Sequence, residues 1–170
     1  MSHLGSLQDL FVEQLQDIYD AENQLIESIP AMASAAHDQD LRDAFTHHLD
    51  ETREHLNRLR EIFRGLSLPA ERKRCKAMAG LIKEAEEVLT ASGDRDVLDA
   101  ALIAAAQRIE HYEIASYGTV RAFAKRLDYS EAARLLDKTL TEEGNADKKL
   151  TKLAEGTLLQ RSINKEAASA

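Results

Sequence analysis

Four glutamates stand where a globular helix would place leucine. Glu22, Glu51, Glu110 and Glu143 each fall on the apolar stripe of a long segment with helical spacing. A carboxylate turned into a protein interior is costly unless it is protonated, paired or bound to a metal. One such residue per helix restricts the chain to folds that gather four helices around a shared polar centre. Bundles holding two iron or manganese ions are built this way, with inward Glu and Glu-x-x-His positions on four helices.

The rest of the sequence supports helices. The chain has 170 residues, with only 2 prolines and 7 glycines to interrupt it. Ala, Leu, Glu, Lys and Arg, all good helix formers, dominate, so the fold class is all-α. The spacing predicts a first helix over about 6–36 with stripe Leu7, Phe11, Ile18, Glu22, Leu25 and Ile29, kinked near its end by Pro30. A second, capped by Asp38 or Asp40, runs to about 63 and presents Leu41, Phe45, His48, Glu51 or Thr52, His55, Leu59 and Ile62. Gly65 stops it and Pro69 follows. A shorter helix is expected over about 71–90, and Ser92-Gly93-Asp94 breaks the chain after it. A helix capped by Asp94 or Asp96 continues to about 127, and the last long helix spans about 130–159.

Two short turns make two antiparallel hairpins, joined by one long connection that carries the short helix. That is ferritin-like four-helix-bundle connectivity with an added crossover helix. Residues 1–162 form the expected helical domain, and 163–170 read as a small, polar, flexible C-terminal tail.

The net charge of −8 argues against nucleic acid or an anionic membrane surface as the main partner. The basic run Arg72-Lys73-Arg74-Cys75-Lys76 is a local exception that reads as a solvated helix start. Cys75 is the only cysteine, so no intramolecular disulfide is possible. The first residues lack the charged and apolar regions of a signal peptide, and the apolar run from Ala100 to Gln107 is too short to span a bilayer. The expected location is cytoplasmic. No glycine-rich phosphate loop, Ser/His/Asp pattern or zinc-type cysteine spacing is present.

The candidate ligands are therefore Glu22 on the first helix, His48 and Glu51 on the second, Glu110 and Glu113 on the third long helix, and Glu143 and Asp147 on the last. His55 lies on the same face as His48 and is a weaker candidate. Carboxylate oxygens with one or two imidazoles suit two divalent ions, with iron the first expectation and manganese the second. The competing reading is a buried network without metal, in which Arg108 and Arg121 neutralise the carboxylates. Tyr117 and Tyr19 are placed to hydrogen-bond a ligand carboxylate. Leu10, Leu15 and Leu81 look surplus to one inner face and point to a homodimer.

The segment from Asp99 to Thr119, with Tyr19-Asp-Ala-Glu-Asn-Gln-Leu25, His48-Leu-Asp-Glu-Thr52, Cys75-Lys-Ala-Met-Ala-Gly-Leu-Ile82 and Thr139-Leu-Thr-Glu-Glu143, resembles the YciE/YciF ferritin-like family of bacterial stress proteins. The resemblance covers nearly the whole chain. It implies a rubrerythrin-like four-helix core, dimerisation and a link to stress response. Against the wider rubrerythrin pattern, Glu22, Glu110, Glu113 and Glu143 match. The residue three after Glu51 is Glu54 and the residue three after Glu143 is Ala146, so the Glu-x-x-His motifs are not reproduced. Two functions follow as expectations: a dimetal-carboxylate protein handling iron, O2 or peroxide, or a metal-free structural or interaction protein on a degenerate scaffold.

Overall fold

The computed structural model describes residues 4–157 and 161–170. The leader expectation for residues 1–3 and the expected end of the last long helix near 159 lie outside them. The helices are α1 (Leu7–Ala35), α2 (Gln39–Gly65), α3 (Lys76–Thr90), α4 (Arg95–Arg126), α5 (Ser130–Glu155) and α6 (Ile163–Ala167). The α1–α2 and α4–α5 hairpins pack together through α1 on α4 and α2 on α5, while α3 lies across α1 and α4. This is the expected all-α bundle with a helix in its crossover.

The ends of the helices follow from local chemistry. Asp38 accepts from Leu41 N at 3.0 Å and Asp94 from Asp96 N at 2.9 Å, each satisfying a free N–H in a first turn. Asp99, 1% exposed on α4, accepts from His37 N at 2.8 Å and Asp38 N at 2.6 Å. It thereby ties the α1–α2 turn to the second hairpin. Gly65 does not make the turn that ends α2. It is the last helical residue, and Ser67 takes the left-handed conformation at φ 57°. Leu68 N then reaches Phe63 O at 2.9 Å. Asp128 at φ 61°, with Tyr129 N on Ala124 O at 2.9 Å, ends α4 in the same six-to-one closure.

Two expectations about the connections are corrected. Residues 71–75 are not helical: Asp20 of α1 accepts Cys75 N at 2.8 Å and Arg72 Nε at 2.7 Å, and Lys73 pairs with Glu13. The basic run is thus a strap along α1, and α3 starts only at Lys76. The residues after 162 are not simply a frayed tail. Ser162 caps α6 by accepting Lys165 N at 3.1 Å, and Ile163, 3% exposed, enters the core beside α4.

The apolar core is divided. One cluster joins Leu25, Ile29, Leu41, Phe45, Leu102, Ile109 and Leu150. The other joins Phe11, Leu15, Ile18, Leu59, Phe63, Tyr117 and Leu136. Along every long helix the boundary between the two is occupied by polar residues: Glu22, His48 to His55, Glu110 to Glu113, and Glu143. Leu15, expected to be left over for a partner, lies fully inside the second cluster, and Leu81 packs against the first.

Candidate metal centre

The polar boundary is one connected site. Glu22 and Glu143 are fully buried, as is His55, while Glu113, Glu110 and His48 are 1%, 3% and 7% exposed. Their ligating atoms fall into two groups, each within 4.8 Å: His48, Glu110, Glu113 and Glu143, and Glu22, His55 and Glu143. Glu143 belongs to both, the placement of a bridging carboxylate.

Helical geometry explains which residues meet there. His48 and His55 are two turns apart on α2, and Glu110 and Glu113 one turn apart on α4, so each pair shares a face. His55 Nδ1 lies 2.9 Å from Glu143 Oε1 and 3.3 Å from Glu22 Oε1, and His48 Nε2 lies 3.3 Å from Glu110 Oε1. On the far side of the His55 ring, Nε2 is 3.1 Å from Glu142 Oε2. Arg58 grips Glu142 with both guanidinium arms, Nη2 at 3.0 Å, and donates to Thr139 Oγ1 at 3.0 Å. A carboxylate so held accepts the Nε2 proton and fixes the ring with Nδ1 facing Glu22 and Glu143. The Tyr117 hydroxyl donates to Glu22 Oε1, as its position on α4 suggested.

Electrostatics set protons against carboxylates throughout the site. Burial resists a charge on His48, yet Glu110, Glu51 and Glu143 outweigh it and raise its pKa to about 9. Burial likewise resists charge on His55, but Glu22, Glu142 and Glu143 push it well above the ordinary value. Burial drives Glu110 and Glu113 well above the usual carboxylate range, with Glu143 adding repulsion at both. Burial also opposes ionisation of Glu143, but His55 and His48 hold it below its ordinary value. Glu142 is kept ionised down to about 2: burial opposes, and His55 and Arg58 prevail.

Two expected ligands are not brought into either group. Asp147 is half-buried on the α4 side of α5, 3.2 Å from His111 Nε2 and 3.4 Å from Gln107 Nε2. It lies one helical turn along α5 from Glu143, where it meets His111 and Gln107 of α4. Glu51 stands at the rim, its side chain 25% exposed, between His47 and His48. The inward line of α2 runs instead through His48, Thr52 and His55. Thr52 is fully buried and satisfies its own hydroxyl on His48 O at 2.8 Å. His55, the weaker candidate in the sequence, lies on that inward line beside Glu22 and Glu143. Counted from Thr52 rather than Glu51, His55 occupies the His position of a Glu-x-x-His pattern whose Glu has become Thr. The arginines expected to neutralise the site do not: Arg108 pairs with Glu84 at 3.5 Å and Arg121 with Asp137. Arg58 serves the site indirectly, through Glu142. Tyr19 also misses it, its hydroxyl accepting from Arg60 Nε at 3.1 Å.

Fold and site together define a ferritin-like helical bundle with a buried carboxylate–histidine centre. The chain belongs to the YciF family: the family described as "Domain of unknown function (DUF892)" matches residues 6–167. It is 43% identical over 164 residues to Protein YciF of Escherichia coli (strain K12), covering 96% of this chain and 99% of that one. The crystal structure of the E. coli stress protein YciF superposes with a TM-score of 0.85 at 45% identity, over 88% of this chain and 94% of that one. YcfI of Rhodopseudomonas palustris, proposed there as a structural protein, gives 0.87 at 41% identity, over 89% and 96%. A Xanthomonas campestris protein at 21% identity, covering 97% and 100% with a TM-score of 0.71, shares the fold. Among the described residues, no helix is long and apolar enough to cross a membrane.

Proposed function

We propose that this YciF homologue is a dimetal-carboxylate protein that holds two divalent ions, iron foremost and manganese second, and handles iron, O2 or peroxide under stress. One observation carries the reading. Five buried carboxylate oxygens of Glu22, Glu110, Glu113 and Glu143 have no hydrogen-bond or ion-pair partner, and they belong to residues whose ligating atoms converge with those of His48 and His55. Leaving a buried polar atom unpaired costs about 1–3 kcal/mol, more for a charged one. Five such atoms in one place mark a site shaped for something other than a hydrogen bond. Two divalent ions would balance the four carboxylates, and oxygen with imidazole donors suits iron or manganese.

In this reading Glu22, His55 and Glu143 hold one ion, and His48, Glu110, Glu113 and Glu143 the other. Bound iron would supply redox chemistry toward O2 or peroxide. The protein's own part is positional. Glu142 and Arg58 fix the His55 ring, Tyr117 fixes Glu22 and offers a proton at its hydroxyl, and the two apolar clusters exclude water from either side.

The test is an anaerobic Fe(II) titration of the metal-stripped protein, followed by O2 or peroxide. About two irons per chain are expected, as the two ligand groups imply, and Glu143→Ala should abolish binding of both. Absence of saturable binding would overturn the reading and favour a metal-free structural protein. That second reading draws on Thr52 and Ala146, which stand where the di-iron pattern has Glu and His. We also propose that the chain forms a homodimer; a monomer mass independent of concentration in analytical ultracentrifugation would refute it.

A further inference from the structure

We infer that the cleft between α2 and α5 is the path by which a divalent cation reaches the centre, and that Glu51 is a transit ligand between His47 and His48. The inference rests on the metal-binding reading above.

A cavity of about 170 Å³ opens beside Ala44, His47, Glu51 and Lys149, and His48 and Glu110 of the centre also line it. Metal-ligating groups line this route in an unbroken series. His47 Nε2 is 3.4 Å from Glu51 Oε1, Glu51 Oε2 is 3.8 Å from His48 Nδ1, and His48 Nε2 is 3.3 Å from Glu110 Oε1. Side-chain exposure falls along it from 66% to 25%, 9% and 4%. Both ring nitrogens of His48 are buried, and each faces a carboxylate. The ring thus has one nitrogen toward the rim and one toward the centre. A cation moving inward exchanges one donor for the next and is never far from a carboxylate. On the other half of the centre, Arg58 holds Glu142 against the fully buried His55. Lys149, the only lysine or arginine among the lining residues, adds a positive charge that opposes cation entry.

The test is the kinetics of Co(II) uptake by the metal-stripped full-length chain, read in stopped flow against a fluorescent chelator. A residue visited only in transit changes uptake and release by the same factor and leaves affinity alone. Glu51→Gln and His47→Gln are expected to slow both rates at least tenfold with unchanged Kd and stoichiometry. Ala146→Leu, which narrows the cleft without altering charge, should slow them too, and Lys149→Gln should speed them. Wild-type rates in Glu51→Gln, His47→Gln and Ala146→Leu would overturn the path. A changed Kd or stoichiometry in Glu51→Gln would make it a resident ligand and overturn its transit role. No uptake by the unaltered protein would refute the metal-binding reading itself.

Discussion

Raising the pH from 6.5 to 9 should destabilise the metal-free protein substantially. His48 faces Glu51 on its own helix, Glu110 from α4, Glu143 from α5 and His55, and its pKa is raised from 6.5 to about 9. Below pH 6.5 both folded and unfolded chains hold this proton, and its stabilising effect is fully present. Between the two values only the folded chain holds it, so stability falls as pH rises through about 9. At about 1.4 kcal/mol per pKa unit, the displacement corresponds to roughly 3 kcal/mol. That is a large part of the 5–15 kcal/mol typical of a domain. His55, Glu110 and Glu113 are displaced upward as well and deepen the loss. Glu142 and Glu143, held below their ordinary values, are already ionised in this window and do not offset it. Urea unfolding in chelator at several pH values measures the slope. With metal bound the slope should reverse, because ions and protons compete for the same ligands. Stability of the metal-free chain that is flat from pH 6.5 to 9 would refute the reasoning.

Other expectations follow from single contacts. Glu142→Gln frees the His55 ring from its charged acceptor and should weaken metal affinity about 10- to 100-fold by calorimetry, with the fold intact. Asp147→Asn should leave metal stoichiometry unchanged, since its carboxylate faces His111; loss of one ion would restore it as a ligand. Asp99→Asn replaces an oxygen accepting a backbone N–H and should lower stability by about 1–3 kcal/mol in urea titration. Ile163→Ala should cost about 2–4 kcal/mol if α6 is part of the core; a change below about 0.5 kcal/mol would show that it is not.

The bundle was legible because its helices are long and strongly periodic, and Asp38 and Asp94 announce two of their starts. What escaped was set by contacts between elements. The start of α3 depends on Asp20, fifty-five residues from the Cys75 N–H it accepts. The short helix α6 has one buried anchor, Ile163, too little to show as a pattern. In the site, Glu22, His48, Glu110, Glu113 and Glu143 could be read directly, since each breaks an apolar stripe. The inward placement of His55 was harder to read, because Thr52, which marks the inward line of α2, carries no charge to reveal it. Periodicity places Asp147 near the inner face but does not say that His111 of the neighbouring helix meets it.

The polar layer between the two apolar clusters also acts as an alignment device. In a bundle packed only with leucine and isoleucine, a helix can slide by one turn and find an almost equivalent set of neighbours. Here, such a slide would set Glu22 or Glu143 against aliphatic side chains and strand the remaining carboxylates and imidazoles. A buried polar layer of this kind selects one register by penalising the others. The centre thus specifies how the two hairpins mate, whatever chemistry it performs once they have done so.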